Sequence, residues 1–246
     1  MDRAPIPYCG SAPLPSEWIA RWNLDPLLLA GLIVAALLIA GCTRGPVRRS
    51  AMTALALCAL LFVSPLCAMS SALFSVRVIH HLVLIAAVAP LLARLIPRGG
   101  ALAGWTIAQG ATLWLWHAPS LYGAALSDDT LFWLMQLSLL GSATGFWGSL
   151  RRSASPVAIV ALAVTMAHMS LLGALITFAD APLYKPHLGT TDPWGLSPLE
   201  DQQLAGLIMW IPATLIYLVS MLTAAWRLLG GVRDAPLSAP SASALG

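Results

Sequence analysis

Seven apolar runs, each about as long as a membrane crossing requires, dominate this sequence of 246 residues. A helix needs about 20 apolar residues to cross the hydrocarbon core of a bilayer. Only 9% of the residues are charged and 59% are apolar, so the chain could not cover the surface of a soluble globule with polar groups. The same composition excludes a disordered chain. We therefore predict an all-α polytopic membrane protein with a bundle of seven transmembrane helices, at residues 26–41, 51–69, 78–96, 101–117, 131–149, 156–178 and 203–226.

The apolar runs divide the chain into three parts. We predict an outer N-terminal segment (1–25), a seven-span membrane domain (26–228) and a disordered cytoplasmic tail (229–246) that is rich in Ala, Ser and Pro. The N-terminal segment has no basic region followed by an apolar core, so we expect no cleavable signal peptide.

The basic residues sort by loop and predict the orientation. Nine lie on the side of the first, third and fifth loops and the C-terminal end, and four lie on the other side. The positive-inside rule assigns the side with nine to the cytoplasm, which places the N-terminus outside and the C-terminus inside. The nine are Arg44, Arg48, Arg49, Arg94, Arg98, Arg151, Arg152, Arg227 and Arg233, and the four are Arg3, Arg21, Arg77 and Lys185. They form no single long patch, so we expect no nucleic-acid partner.

This topology places all five histidines in the outer half of the bundle or in the outer loops. Four lie at or near the outer surface: His80, His81, His117 and His187. His168 lies roughly 15 Å below the outer end of the sixth span, since a helix rises 1.5 Å per residue. His81 and His168 then differ in depth by roughly 10 Å. One metal site containing both needs a tilt, a shifted span boundary or a kink such as Pro90 could supply; otherwise they form two sites or a relay.

Histidine and methionine near one another suggest copper chemistry. Imidazole is the commonest metal ligand among side chains, and thioether suits Cu(I). Met69, Met166, Met169 and Met209 lie near the histidines in this topology. The alternative is that the histidines are buried and bonded to hydroxyls or backbone carbonyls, with the methionines as ordinary packing. The spacing leaves both readings open, because the ligands would come from separate helices.

Other chemistries find less support in the sequence. No carboxylate lies deep in a span, which argues against a proton pump. There is no Gly-rich phosphate loop and no G-x-S-x-G motif. Cys9 and Cys67 both lie on the predicted outer side, where they form either a disulfide or two unpaired small apolar residues.

The start of the seventh span is unusually polar. Asp201 is favoured near a helix N-terminus by the macrodipole, and it also suits an N-cap. Gln202, Gly206 and Met209 share one face of the helix. Two glutamines entering a membrane span need partners, so this face is expected to look into the bundle, and Gly206 would let another helix approach closely.

Four stretches between residues 73 and 212 occur in an order that is typical of a known family. They are Leu73–Leu92, Trp116–Tyr122, Met166–Tyr184 and Asp201–Pro212. With them the chain resembles the CtaG-like family of cytochrome c oxidase assembly factors. The resemblance implies a seven-span protein of the bacterial inner membrane that helps to build the oxidase copper centres on the outer face. It also implies that the protein handles copper and is not an enzyme.

The resemblance also points to particular residues. His81, His117 and His168 match the histidines of the family pattern. The motif in the third span departs from that pattern, because Arg77 stands where the family usually has histidine and His80 where it commonly has glutamine. His80 lies about 100° around the helix from His81, so a copper site drawn wholly from this span is not expected.

We therefore predict an integral-membrane assembly factor that binds or delivers copper, with oxidase subunits or other assembly factors as partners. The candidate metal ligands are His81, His117, His168, His80, Met69 and Met169, and the other candidate site residues are Asp201, Gln202, Gln203, Met209 and Trp210. The alternative is a membrane electron-transfer protein that holds haem b between His81 and His168. A copper importer, or a purely structural partner with histidines buried for packing, is a further alternative.

Overall fold

Helices make up most of the chain. The computed structural model describes residues 7–96, 101–153 and 155–233, and within these ranges it contains helices and turns but no strand, as an all-α fold requires. The helices are α1 (Pro26–Cys42), α2 (Gly45–Val63), α3 (Leu66–Ala72), α4 (Phe74–Val83), α5 (Ala89–Leu92), α6 (Leu102–His117), α7 (Pro119–Ser127), α8 (Asp129–Leu150), α9 (Ser155–Thr177) and α10 (Pro198–Arg233). Short 3₁₀ turns occur at Trp18–Ala20, Lys185–His187 and Asp192–Trp194.

Several helices have the length and composition of membrane spans. Four segments of the described chain are long and apolar enough to cross a membrane: Gly45–Val63, Phe74–Leu92, Pro156–Thr177 and Pro198–Leu229. The apolar helix α1 is shorter, and α6 and α8 occupy the predicted fourth and fifth spans. The count of seven spans and the orientation stay predictions; Arg3 and Arg98, which contributed to the orientation, lie outside the described residues.

The predicted bounds of the second span, 51–69, are wrong. Helix α2 begins at Gly45 and ends at Val63, and α3 begins only at Leu66. The break lies at Ser64, whose backbone is extended at φ −72° and ψ 167°. A residue that precedes a proline is pushed out of the helical region by the proline ring, and Pro65 follows directly.

The predicted disordered tail, 229–246, also begins too early. Helix α10 continues through residues 229–233 and ends at Arg233. No proline interrupts the chain between Pro212 and Pro236, so the helix can extend past the apolar segment. The rest of the predicted tail, 234–246, lies outside the described residues.

A π-turn at Leu84–Val88 joins α4 to α5. Pro90 has no N–H group and cannot continue a regular α-helical ladder. One residue before it, the N–H of Ala89 donates to the carbonyl of Leu84, five residues back. This wider turn leaves the Ile85 carbonyl free, and the indole N–H of Trp147 on α8 donates to it at 2.8 Å. The proline therefore produces a local widening that α8 stabilises.

Helices α9 and α10 cross at two glycines. A Cβ atom added to Gly206 would lie 2.3 Å from the Thr177 hydroxyl oxygen and 2.7 Å from the Gly173 carbonyl oxygen. A Cβ atom added to Gly173 would lie 3.0 Å from the Gly206 carbonyl oxygen. The backbones are therefore too close for side chains, which confirms the close approach predicted at Gly206.

The N-terminal segment is fastened to one end of the bundle. Cys9 forms a disulfide with Cys67 on α3, so the first of the two alternatives for these cysteines is confirmed. The indole N–H of Trp194, in the loop before α10, donates to the Pro13 carbonyl at 3.2 Å. The disulfide, the N-terminal segment and the loop 179–197 therefore lie together at this end, which the orientation prediction places outside.

Tyr8 and Asp25 hold the start of α1 against this segment. The Asp25 carboxylate accepts a hydrogen bond from the Leu27 N–H and caps α1, and it also accepts one from the Tyr8 hydroxyl. The hydrogen bond from Tyr8 holds the pKa of Asp25 below its usual value, while burial and the carboxylate raise the pKa of Tyr8. The Tyr8 ring stacks on Phe132 of α8, with ring centroids 4.9 Å apart.

Candidate metal site

A small cavity lies between four helices, near the end of the bundle that carries the disulfide. It is lined by Val78, His81, Leu82 and Ile85 from α4 and the π-turn, Leu113 and His117 from α6, Met169 from α9 and Met209 from α10. The cavity has a volume of about 10 Å³, which is about the space that one water molecule needs. The cavity therefore has room for a single small ion among its side chains.

His117 is fixed in one tautomer. Its Nδ1 atom lies 2.7 Å from the carbonyl oxygen of Leu113, one turn earlier in α6. A carbonyl oxygen only accepts hydrogen bonds, so Nδ1 carries the proton and the lone pair of the neutral ring is on Nε2. The Tyr184 hydroxyl donates to the His117 carbonyl at 2.9 Å and holds the end of α6. The bond from Nδ1 fixes the orientation of the ring. Histidines that bind a metal through one ring nitrogen are commonly held in this way by a hydrogen bond from the other.

His81 faces His117 across the cavity. The two ring centroids are 6.1 Å apart and the ring planes are nearly perpendicular. The amide nitrogen of Gln136 on α8 lies 3.4 Å from Nε2 of His81, and Nδ1 is buried with no hydrogen-bond partner among the described residues. Sequence reasoning missed Gln136, although a buried amide within a predicted span is itself a signal that a polar partner is near.

Two thioethers complete the polar lining of the cavity. Met169 and Met209 are almost fully buried, and they reach it from the two helices that cross at the glycines. No carboxylate and no thiol lines the cavity. No group of three His, Cys, Asp or Glu side chains converges in the part of the chain that the structure describes, so a site in this cavity depends on the thioethers. Two imidazoles and two thioethers are soft or borderline neutral donors, and they suit Cu(I) better than a hard divalent ion.

Two of the other candidate ligands do not line the cavity. His80 is buried on the neighbouring face of α4, where its ring packs edge-on against Phe62 at 4.8 Å between centroids. Neither ring nitrogen of His80 has a hydrogen-bond partner among the described residues. Met69 lies half-buried on α3 and is likewise absent from the lining. A ligand role for either residue stays a prediction.

His168 lies apart from the other two histidines that match the family pattern. It is half-buried on α9, and its Nε2 would lie 3.3 Å from a Cβ atom at Gly110 on α6. Its neighbour Met169 lines the cavity, and successive helical residues point about 100° apart. The structure therefore brings His81 and His117 together and leaves His168 against α6, so the role predicted for His168 stays a prediction.

Asp201 caps the helix that carries His81. Although it lies near the start of α10, its carboxylate accepts hydrogen bonds from the Phe74 N–H at 2.6 Å, the Ser75 N–H at 3.2 Å and the Ser75 hydroxyl. These groups form the N-terminus of α4, where a negative charge is favoured by the helix dipole. The capped helix is thus not the one to which Asp201 belongs, and this connection joins α10 to α4.

Gln202 joins α10 to α9 and to the loop that follows α9. Its carbonyl oxygen accepts from the Leu183 N–H at 2.6 Å, and its amide nitrogen donates to the carbonyls of Ile176 and Ala181 at 3.3 and 3.4 Å. We call Asp201, Gln202 and these partners the polar lock. The remaining candidates on this helix are less buried: Gln203 is half-buried, and Trp210 packs edge-on against Phe178.

His187 is a fully bonded histidine of the last loop. Its Nδ1 lies 3.3 Å from the Ala72 carbonyl, so it carries the proton, and its Nε2 lies 2.7 Å from the Tyr122 hydroxyl, which donates to it. Burial lowers the pKa of His187 to about 4, because the charged form would lose its hydration. At neutral pH this ring is a neutral structural connection between α3, α7 and the loop.

The comparisons with known proteins identify one family. The family model for the cytochrome c oxidase caa3 assembly factor (Caa3_CtaG) matches residues 105–230, which is half of the chain. The matched region contains His117, Met169, Met209 and the polar lock residues of α10, whereas His81 precedes it. No curated protein and no solved structure matches the chain.

Proposed function

Because the chain belongs to the family of cytochrome c oxidase caa3 assembly factors, we propose that it holds copper in the cavity and passes it on during assembly of the oxidase. The observation that carries this proposal is the convergence of His81, His117, Met169 and Met209 from four different helices. The family supports a role in building the oxidase, together with the oxidase or its assembly machinery, rather than a catalytic one.

The donor set suits Cu(I) as a cargo. Two neutral imidazoles and two thioethers leave the charge of the ion uncompensated, so a monovalent soft ion is the best match. His117 already presents an unprotonated Nε2, and the Nε2 lone pair of His81, which accepts from the Gln136 amide, is available to an ion when that weak bond breaks. The cavity has about the volume of one water molecule, which favours a single ion rather than a cluster.

The cavity is proposed to open toward the outer face of the bacterial inner membrane. Disulfides persist in oxidising compartments such as the periplasm, and Cys9 and Cys67 form one at the same end of the bundle. The distribution of basic residues also favours the opposite end as cytoplasmic. An oxidase subunit or another assembly factor at this face would receive the copper.

The haem alternative gains no support from this geometry. Sites for ligands of drug size have volumes of about 300–1,000 Å³, far more than the cavity between His81 and His117. His168, the second axial ligand of that alternative, lies against Gly110 instead. A purified sample without a Soret band after haem loading would agree with copper as the cargo.

The test is Cu(I) retention by the purified chain in detergent. We expect the wild type to retain about one copper per chain in competition with a chelator of known affinity. His81→Ala and His117→Ala should each lower the affinity at least tenfold, because each removes one of four donors. The double variant Met169→Leu with Met209→Leu should also lower it, since leucine has similar volume but no sulfur.

Two matched controls separate the cavity from general damage. Met135 is fully buried but does not line the cavity, so Met135→Leu should retain copper as the wild type does. The second control is His168→Ala, at a histidine that matches the family pattern but does not line the cavity. The proposal is overturned if the cavity variants, folded as judged by thermal unfolding, retain copper as well as the wild type.

A further inference from the structure

Arg77 is a buried charge without a counter-ion. It lies on α4 with no exposed surface, and none of its three guanidinium nitrogens makes a hydrogen bond to a described residue. A guanidinium cannot lose its proton in a protein, so the charge persists. The one salt bridge within the described ranges joins Arg21 to Glu17, far along the chain. Burial of an unpaired charge is costly, so its presence calls for an explanation.

The surroundings compensate the charge only in part. The guanidinium carbon lies 5.4 Å from the centroid of the Phe132 ring, within the range of a cation–π interaction. The hydroxyl of the neighbouring Tyr122 donates to His187, and the partial negative charge of its oxygen offsets the guanidinium charge in part, without a hydrogen bond. Asp201 is the buried carboxylate of the described chain, and its oxygens accept from the backbone at Phe74 and from Ser75. Its charge is therefore held by the N-terminus of α4.

The charge is placed beside the cavity. Arg77 and His81 are four residues apart on α4, so they are neighbours on the same face of the helix. The cavity itself contributes no negative group, because its donors are two imidazoles and two thioethers. An ion that enters the cavity therefore meets a fixed positive charge and no carboxylate to offset it.

We propose that Arg77 determines the charge selectivity of the cavity, so that it favours a monovalent over a divalent metal ion. This inference rests on the proposed function, because it concerns the same cavity. The Coulomb free energy between Arg77 and the ion is proportional to the charge of the ion. The repulsion is therefore twice as large for a divalent ion, and its effect on affinity is the square of the effect on a monovalent ion.

The same repulsion keeps a monovalent ion exchangeable. A site that passes its cargo to another protein must release it, and a nearby positive charge weakens the binding of any cation. Four neutral donors without Arg77 would hold the ion more tightly and would also accept divalent ions. The charge thus lowers affinity in exchange for selectivity and release.

The experiment compares the affinities of the full chain in detergent for Cu(I) and Zn(II), each measured by competition with a chelator. Both ions have filled d shells, so charge is the main difference between them. The variant Arg77→Met removes the charge and keeps an unbranched apolar side chain. With an effective dielectric constant of about 20 and a separation of about 10 Å, we expect affinity to rise about tenfold for Cu(I) and about a hundredfold for Zn(II).

Two further variants keep this test decisive. Arg77→Gln removes the charge with a polar side chain and should give the same ratio of effects if Arg77→Met folds poorly. The matched control is Arg151→Met, the same change at an exposed arginine after α8, which should alter neither affinity. Equal changes for the two ions, or no change in either, would overturn the role of Arg77. If the wild type binds neither ion, the proposed function itself fails, and this outcome is distinguishable from a failure of the role of Arg77 alone.

Discussion

Helix α10 passes through two regions that differ in whether their buried polar groups are hydrogen-bonded. In the polar lock, both oxygens of Asp201 and both polar atoms of Gln202 have hydrogen-bond partners. Two turns further along, Met209 lines the cavity, and there His81 Nδ1, both ring nitrogens of His80 and the guanidinium of Arg77 have none among the described residues. The polar lock is bonded completely, whereas the surroundings of the cavity are not.

The difference separates stability from function. Most buried polar atoms in proteins are hydrogen-bonded, because an unpartnered one loses its hydration without compensation. A region that leaves several of them unpartnered contributes less to stability than it could, and such regions are expected at functional sites. We infer that the polar lock holds α10 against α4 and α9, and that this rigidity keeps the donor atoms of the cavity in position.

The largest effect on stability is expected at the helix crossing beside the polar lock. Gly206→Ala would place a Cβ atom 2.7 Å from the Gly173 carbonyl oxygen, so the backbones must separate. We expect a loss of about 3 kcal/mol or more in the free energy of unfolding, measured in detergent. The matched control is Gly141→Ala on α8, where nothing lies within 4 Å of the added atom. A loss at Gly206 no greater than at Gly141 would contradict the close crossing.

Removal of the carboxylate of the polar lock should have the next largest effect. Asp201→Ala leaves the Phe74 and Ser75 N–H groups at the start of α4 without an acceptor. We expect a loss of about 2–3 kcal/mol in the same measurement. Asp201→Asn retains one acceptor oxygen and should lose about half as much. If the alanine variant is as stable as the wild type, the connection between α10 and α4 does not hold the fold.

Acid should weaken the bonded region through His187. Its pKa is about 4 in the folded chain and 6.5 when it is free of burial, so the unfolded chain binds more protons between these values. The free energy of unfolding should therefore fall as pH drops below 6.5, by about 2 kcal/mol from this residue at pH 5. The check is unfolding at pH 7 and pH 5 in the wild type and in His187→Gln. The variant can keep both hydrogen bonds but does not titrate, and an identical acid response in the two would refute this contribution.

The smallest change in stability is expected on the unbonded side, at His80. Both of its ring nitrogens are buried without a partner in the described chain, and its ring packs against Phe62. His80→Leu removes two unsatisfied atoms and keeps an apolar side chain, so the free energy of unfolding should change by less than about 1 kcal/mol or rise slightly. A loss comparable to that of Asp201→Ala would show that His80 has a partner and would weaken the contrast between the two regions.

Much of the helical architecture could be predicted from the sequence, because apolar runs report directly on helices of membrane proteins. The face shared by Gln202, Gly206 and Met209 also followed from helical periodicity, and the close approach at Gly206 was confirmed. The apolar run does not show the break at Ser64, although the rule for a residue before proline accounts for it, and neither pattern contains the π-turn at Leu84–Val88. The π-turn depends on how α8 accommodates the widening before Pro90, which is a property of the packed structure.

The site was predictable only in part, for a geometric reason. Sequence placed His81, His117 and Met169 in the outer half of the bundle at different depths, but it could not tell which of them face one another. The rotation of each helix about its axis decides this, as the neighbours His168 and Met169 illustrate by pointing to different surroundings. Asp201 was expected at a helix N-terminus, but that it serves another helix is a long-range contact no local pattern contains.

The π-turn between α4 and α5 has a consequence for how this chain can change over time. A π-turn contains one residue more than the α-helical turn it replaces, and its wider turn absorbs that residue, so the helices on either side stay nearly in phase. Deletion of one residue from Leu84–Val88 would therefore leave His81 and the buried Ala89 in nearly the same relative orientation, but it would remove the free carbonyl to which Trp147 donates. Evolution can therefore change the length of this segment by one residue without turning α4 against α5, and the cost of that change is the hydrogen bond from Trp147.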